Sequence, residues 1–462
     1  MGHTTREQVF FVLSVILVRL MPGRVFAIAA LALLATTGAN GQGRVRPTDR
    51  PNIVLILMDD LGYGDIGSYG GPDAKTPNID RLAREGVRFT DFYANGANCS
   101  PTRTGFITGR YQQRQGIEWP LGMVPTDSTR GLAPSETSLP RLLKSVGYST
   151  ALIGKWHLGW KPEFHPRRHG FDEFWGFLGG YVDYYNNIGE FDRHDLFHND
   201  LPVRDSAYLT EQITVHATAY IEHRARAPFF LEVSYNATHW PFQRAGLHGR
   251  QRVSPDSREG TREDYVAMLE SADSGVGVIL QTLERLNLTR NTLVIFTSDN
   301  GGEWLSRNAP LFHRKSTLWE GGIRVPAIFR WPARLPAGVI SRQVGITMDL
   351  TASILAAAGA KPPASYAPEG IDLLPVIDGS RAPVERTLFW RIQAPARVMR
   401  AARRGKWKYL RDGENEFLFD LEADVGERHD LAFAHPAMLP EFRRLVTAWE
   451  AAVDSGRTQA TQ

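Results

Sequence analysis

A layered α/β fold is what this sequence predicts, and three observations carry the expectation. Ile53 to Met58 is a short unbroken apolar run, as in a strand buried on both faces, and it stops abruptly at Asp59-Asp60-Leu61-Gly62. Thr292 to Thr297 repeats the pattern and stops at Asp299-Asn300. Between these runs, segments of helical periodicity alternate with further apolar runs, as in sheets covered by helices. Polar residues at the carboxyl ends of buried strands stand where α/β proteins keep their ligands, so two strands ending this way point to one shared site.

Taken in order, the chain begins with apolar patches at Val9 to Val18 and, after Arg24, at Val25 to Ala35, followed by a small and polar tract from Thr36 to Gln42. Charged, apolar and cleavable segments in that order read as an export signal, so residues 1–42 are expected to be a signal region with Met21 as the true start. Neither patch reaches the roughly 20 apolar residues of a membrane span. No span is expected, a retained signal anchor being the alternative, and the mature protein is expected to be periplasmic or extracellular. Residues 43–50 form a linker. Thr76 caps a helix that starts at Pro77 and stops at Gly86. Leu139 to Val146 is a helix closed by Gly147, and Thr150 to Ile153 a strand. Helix Thr210 to His223 leads into strand Phe229 to Ser234, and the long helix Arg262 to Leu288 into the second ligand-bearing strand. Around Pro375 to Val384 the composition shifts to Pro, Gly, Asp and Ser, dividing a large domain (51–380) from a small one (381–462). There, Val398 to Ala402 and Lys406 to Leu410 flank a turn at Arg403-Arg404-Gly405, Phe417 to Leu421 adds a strand, and Leu439 to Val453 a helix.

With 42% hydrophobic and 22% charged residues the chain has the balance of a folded enzyme rather than a disordered one. Its 53 basic and 50 acidic residues leave a net charge of only +3, which gives no field for nucleic acid; attraction of an anionic substrate must be local. Asp59, Asp60, Asp299 and Asn300 offer only hard oxygen donors, with no histidine or thiol pattern for zinc, so Ca²⁺ is the expected ion and Mg²⁺ the second choice. The same residues also read as two turns.

The single cysteine stands in Cys99-Ser100-Pro101-Thr102-Arg103, and Gly147-Tyr148-Ser149-Thr150-Ala151 runs through Leu152-Ile153 into Gly154-Lys155-Trp156-His157. Both segments resemble the signatures of the type I, formylglycine-dependent sulfatases, and from about Asn52 to Leu431 the motifs follow that family's order. These are Asp59-Asp60, Cys99 to Arg103, Lys155 to His157, Thr238-His239, Ser298 to Gly302, and Lys315 ahead of Glu320 to Pro326. The resemblance implies an alkaline-phosphatase-like domain, a large mixed sheet sandwiched by helices, followed by a small antiparallel sheet and helix. It also implies that a maturation enzyme oxidises Cys99 to formylglycine. Asp59, Asp60, Asp299 and Asn300 would bind the metal together with the modified Cys99, Arg103 would steady the aldehyde-derived group, and Lys155 and His157 would stand beside it. His239 and Lys315 would contact the sulfate and its leaving oxygen.

A hydrated aldehyde explains the oxidation, because it carries two hydroxyls on one carbon. One attacks sulfur; loss of the other's proton, to His157, expels sulfate by C–O cleavage and restores the aldehyde. Arg103, Lys155 and Lys315 would stabilise charge on the transferring group, and His239 or Lys315 would protonate the departing alcohol. Asn98 and Thr102 depart from the family's commoner small or apolar residue and serine, but the cysteine, proline and arginine of the motif are intact.

The expected activity is that of an exported sulfuric ester hydrolase of the arylsulfatase type acting on a sulfated carbohydrate or aryl sulfate. His165 to Gly176 resembles the segment found in sulfatases of sulfated amino sugars and in many bacterial relatives. The aromatic residues between 156 and 191, including Trp160, Trp175, Tyr181, Tyr184 and Tyr185, read either as a platform for sugar rings or as core packing. Phe312 and His313, ahead of Lys315, are candidates for reading the leaving group. A phosphonate monoester or phosphodiester hydrolase, and a non-catalytic binder of sulfated glycans, are the competing functions. Asn236-Ala237-Thr238 and Asn287-Leu288-Thr289 are glycosylation sequons by pattern.

Overall fold

Alternation along β1 (Asn52–Met58) decides which layer each side chain joins. Val54, Ile56 and Met58 enter one apolar cluster, Ile53 and Leu55 another, and both faces are covered. The computed structural model describes residues 50–122, 129–135, 137–246, 259–394 and 397–455. The expected signal region lies outside them, as does residue 43–49 of the linker. After β1 come β2 (Val87–Phe89), β3 (Phe92–Tyr93), β4 (Ser149–Lys155), β5 (Glu173–Phe177), β6 (Phe197–His198) and β7 (Leu201–Pro202). They are followed by β8 (Phe229–Ser234), β9 (Thr292–Ser298), β10 (Ala327–Arg330), β11 (Val339–Ser341) and β12 (Gly345–Ile346). All but β3 and β12, which pair with each other, form one ten-stranded mixed sheet in the order β11-β2-β10-β9-β1-β8-β4-β5-β6-β7. The central run from β9 to β5 is parallel, whereas β10 and β6 are antiparallel to their inner neighbours.

The helices are α1 (Pro77–Arg84), α2 (Cys99–Thr108), α3 (Leu139–Lys144), α4 (Leu209–Arg224), α5 (Arg262–Arg285), α6 (Glu320–Ile323), α7 (Met348–Ala358), α8 (Leu374–Ile377) and α9 (Met438–Ser455). One face of the sheet takes Ile79 and Leu82 of α1, Ile213 and Ala217 of α4, and Met268, Leu269 and Val276 of α5. The other takes Phe106 and Ile107 of α2, Leu142 and Leu143 of α3, and Ile354 and Leu355 of α7. This is the sandwiched mixed sheet that the resemblance implied. None of the described helices is long and apolar enough to cross a membrane.

Beyond it, β13 (Thr387–Ala394), β14 (Arg397–Arg404), β15 (Trp407–Asp412) and β16 (Asn415–Asp420) make a four-stranded antiparallel sheet. Tyr409, Leu418 and Ala402 on this sheet pack against Phe442 and Val446 of α9, while Trp390 and Met399 join Tyr93, Leu318 and Ile323 of the main body. Two local expectations are corrected. The hairpin turn is Gly405-Lys406, not Arg403-Arg404-Gly405: Arg403 stays in β14 opposite Lys408 because its side chain is buried against Asp91, 2.7 Å away. Thr76 does not cap α1 with its side chain. Its hydroxyl takes the Gly67 N–H at 2.9 Å, and Asp273 of α5 takes the N–H groups of Asn78 and Ile79 at 3.1 and 2.8 Å.

Candidate active site

Four neighbouring strands and one helix bring their ends together. Asp59 and Asp60 follow β1, Asp299 and Asn300 follow β9, Asn236 to His239 follow β8, and Lys155 ends β4. All of these are carboxyl ends, the place where open α/β sheets bind ligands. Cys99 is the first residue of α2, Pro101 sits in its first turn where no N–H is needed, and Arg103 lies one turn beyond Cys99 on the same face. Gly154 ahead of Lys155 has φ +115°, and a Cβ there would lie 1.9 Å from the Ser234 carbonyl oxygen, so only glycine lets β4 and β8 approach so closely.

The two departures from the cysteine motif have uses here. Asn98 Nδ2 donates to Ser316 Oγ at 2.7 Å and the Ser316 N–H donates to the Ala97 carbonyl at 2.8 Å, which ties the entry of α2 to the Lys315 loop. Thr102 Oγ1 accepts the Gly96 N–H at 3.0 Å and fixes the turn before Cys99, a task a serine hydroxyl performs equally.

Opposite charges interlock at the centre. Arg103, 3% exposed, donates to Asp299 Oδ2 from Nε and Nη2 (3.1 and 2.9 Å) and to the Lys155 carbonyl from Nη1 (3.1 Å). Lys155 Nζ reaches Asp59 Oδ2 at 2.5 Å and Lys315 Nζ reaches Asp60 Oδ2 at 2.7 Å. Cys99 Sγ stands 3.5 Å from Asp59 Oδ1, Asn300 Nδ2 donates to Asp60 Oδ1 at 2.7 Å, and the Asp60 N–H donates to Asp299 Oδ1 at 3.3 Å. Burial, opposed by Lys155, pushes the Asp59 carboxyl up to about 8. Burial would also raise Asp60, yet Lys315 holds it below the usual carboxylate range.

The residues present can hold a cation, with two carboxylates that suit a hard ion and a thiol and an imidazole beside them. Sγ of Cys99, a carboxylate oxygen from each of Asp59 and Asp60, and a ring nitrogen of His239 lie within 4.8 Å of one another. Asn300 Oδ1 is buried without a hydrogen-bond partner among the described residues, and half a turn of that amide would aim it at Asp60. A buried carboxylate pushed up toward neutral pH beside an orphaned oxygen is a place that a bound cation would stabilise. His239, expected only at the sulfate, belongs to this cluster, while Asp299 is held mainly by Arg103.

The histidine tautomers follow from geometry. His157 Nε2 lies 2.9 Å from the Leu121 carbonyl, which can only accept, so the proton sits there and the buried Nδ1 is left as a base without a partner among the described residues. His239 Nδ1 likewise donates to the Trp240 carbonyl at 2.6 Å, leaving Nε2 as a lone pair 3.6 Å from Asp60 Oδ2. Burial, with Lys155 near the first and Lys315 near the second, holds both rings well below the ordinary histidine range, so both are neutral.

Cys99, His157, His239 and Lys315 open onto a cavity of about 480 Å³. Its walls include Trp119, Tyr181, Phe191 and Trp240, and among the described residues its acids are Glu190 and Glu303. Of the aromatic residues singled out in the sequence, Tyr181 alone lines it. Trp175, Tyr184 and Tyr185 are buried, the Tyr184 hydroxyl lying 2.9 and 2.8 Å from the Asn236 and His239 carbonyls, and Trp160 packs behind Phe191. His313 is an exposed residue outside the lining, facing Arg397 and Arg314. Asn236 is buried, so its sequon is closed to modification in the folded chain; Asn287 is exposed. Trp119, Trp240, Glu190 and Glu303 were not foreseen, and Phe191 was foreseen only as part of the aromatic stretch 156–191. Two of them had a sequence signal, Trp240 beside His239 and Glu303 directly after Asn300-Gly301-Gly302.

Comparison with known proteins agrees with this arrangement. The family model described as Sulfatase matches residues 51–360. N-acetylgalactosamine-6-sulfatase of Homo sapiens is 36% identical over 373 residues, covering 76% of this chain and 70% of that protein, and that of Sus scrofa is 34% identical over 89% and 88%. Arylsulfatase A of Bos taurus is 33% identical over 89% of this chain and 90% of that protein. Among solved structures, Ps i-CgsB, known also in complex with k-i-k-neocarrahexaose, superposes with a TM-score of 0.80 at 31% identity, covering 89% of this chain and 94% of that one. With the family model spanning most of the chain and its motifs converging on one cavity, this protein belongs to the sulfatase family and is a sulfuric ester hydrolase of alkaline-phosphatase-like fold.

Proposed function

We propose that this sulfatase is an exported enzyme that releases inorganic sulfate from a sulfated carbohydrate, using formylglycine made from Cys99 and one bound Ca²⁺. The observation that carries the reading is Cys99 itself: it starts α2, faces the cavity, and is surrounded by Arg103, Lys155 and Lys315. As a thiol it is a poor nucleophile, because burial and Asp299 push it well above its ordinary value. Aromatic walls around the cavity suit a sugar ring, and relatives named N-acetylgalactosamine-6-sulfatase and a neighbour solved in complex with k-i-k-neocarrahexaose support the substrate class. Export rests on the order of charged, apolar and small residues in 1–42.

Asp59, Asp60 and Asn300, with the modified residue 99 and with His239 or Asp299 completing the set, would hold the ion, which supplies Lewis-acid charge at the sulfate oxygens when bound. The three carboxylates Asp59, Asp60 and Asp299 balance the three cations Arg103, Lys155 and Lys315, so a divalent ion makes the site net positive and selects an anionic ester locally. Lys155 and Lys315 donate to the transferring group, and Lys315 serves the departing oxygen, because the one proton of neutral His239 goes to the Trp240 carbonyl. His157, neutral with a free Nδ1, takes the proton whose loss frees sulfate.

Peptide mass spectrometry across Cys99, on protein from its own host, combined with sulfate release from a sulfated N-acetylhexosamine, tests the proposal. Formylglycine with turnover is expected; turnover by protein carrying an intact thiol would overturn the mechanism. His157→Ala is expected to release one equivalent of alcohol in a burst and then turn over about 10²–10⁴-fold more slowly. A steady rate without a burst would remove the base role. Prolonged chelation should lower the rate at least about 100-fold, with Ca²⁺ restoring it.

A further inference from the structure

Of the two acids that line the cavity among the described residues, Glu303 lies 3.6 Å from Lys315 Nζ and belongs to the catalytic cluster. Glu190 has no part in the chemistry above. It opens a short turn in which Phe191 and Asp192 both take left-handed backbone angles, φ 60° and 59°. Such angles cost a non-glycine residue on the order of 1 kcal/mol each, and here the turn carries the Phe191 ring to the cavity, edge-on to Trp160. The Glu190 side chain is 9% exposed, and its two oxygens share the Gly180 N–H at 2.9 and 3.1 Å. A Cβ on Gly180 would fall 2.8 Å from Glu190 Oε1 and 2.7 Å from His157 Cε1. Little more than the width of a methyl group therefore separates this carboxyl from the imidazole that faces the reacting ester.

A carboxyl group has about four acceptor positions; the N–H groups of Gly180 and of Glu190 itself take part of them, and the side chain lines the cavity. Burying it with no ion pair among the described residues is costly unless a ligand completes its hydrogen bonds. We infer that Glu190 is a specificity-determining residue, hydrogen-bonded to a hydroxyl or amide N–H on the sugar ring that carries the sulfate. The inference rests on the carbohydrate sulfatase reading. Tyr181 and Trp240, with ring centroids 4.3 Å apart, together with Phe191 and Trp119, provide the faces against which that ring packs. Burial and the neighbouring Asp195 push Glu190 up to about 8, so near neutral pH it meets the anionic ester mostly as a neutral acid, able to donate as well as accept.

The test compares kcat/KM for a sulfated N-acetylhexosamine with kcat/KM for 4-nitrophenyl sulfate, which has no ring hydroxyls, in the parent, Glu190→Ala and Glu190→Gln. The sugar-to-aryl ratio is expected to fall at least about tenfold in Glu190→Ala and by less in Glu190→Gln, which keeps an acceptor oxygen. Because the ratio is read on turning-over enzyme, loss of folded protein does not imitate it. An unchanged ratio in both variants overturns the role of Glu190. A parent that cleaves the aryl ester and no sulfated sugar overturns the carbohydrate reading instead, and this inference with it.

Discussion

Cys99→Ser is expected to lower sulfate release at least about 1000-fold and, after exposure to a sulfate ester, to leave protein about 80 Da heavier. The serine hydroxyl would occupy the position of the thiol, next to Asp59 Oδ1 at the start of α2 and among Arg103, Lys155 and Lys315, so it retains the surroundings for receiving a sulfuryl group. What it lacks is a second oxygen on the same carbon. Without one, His157 has no hydroxyl to deprotonate, the carbon cannot form a carbonyl, and the sulfate stays attached. Intact-protein mass and sulfate release, measured on the same sample, separate the possibilities. Cys99→Ser turning over at the parent rate would show that no aldehyde is required, whereas a variant with neither turnover nor added mass would place the first transfer elsewhere.

The residues that converge on the cavity were named in the sequence from the motifs that resemble the family's, and each is placed by local backbone geometry. Asp59-Asp60 and Asp299-Asn300 end strands buried on both faces, Cys99 and Arg103 are one helical turn apart, and Lys155 follows a glycine that β8 crowds. The cavity walls were legible only in part, in the aromatic stretch that holds Tyr181 and Phe191. Trp119, Glu190, Trp240 and Glu303 come from four separate segments that meet only in the folded chain. Nearness in sequence also misled. His313 is two residues from Lys315, but left-handed angles at His313 and Ser316 (φ 66° and 65°) twist the loop so that Lys315 enters the cavity and His313 stays outside. Trp175 faces the core because strand alternation in β5 sends it there, and α1 is capped by Asp273, an acid 195 positions beyond Asn78 that no local pattern connects to it.

The largest expected effect on stability lies away from the cavity, at Lys408. This side chain of β15 is fully buried, with Nζ 2.8 Å from Glu320 Oε1 and 2.8 Å from Glu427 Oε1. Glu320 begins α6, five residues after Lys315, and its N–H donates to Glu427 Oε2 at 2.6 Å; its other oxygen meets the Tyr93 hydroxyl at 2.7 Å and Arg324 at 3.1 Å. One lysine thus joins the small sheet to the loop that presents Lys315. Lys408→Met keeps the apolar stem and removes the charge, leaving two buried acids facing one another, and is expected to destabilise the protein by about 3–5 kcal/mol. Arg324 still pairs with Glu320, so the deficit falls chiefly on Glu427. Burial, opposed by Lys408, already pushes Glu427 from 4.5 up to about 7. Between those values the folded chain holds more protons than the unfolded one, so this group's contribution to stability weakens as pH rises through the window. Removing Lys408 drives Glu427 further upward. The loss measured from the urea midpoint should therefore be larger at about pH 8 than at about pH 6, where the acid can protonate. A loss below about 1 kcal/mol, the scale of an exposed pair, or one that is independent of pH, would mean that Lys408 does not hold these two acids together.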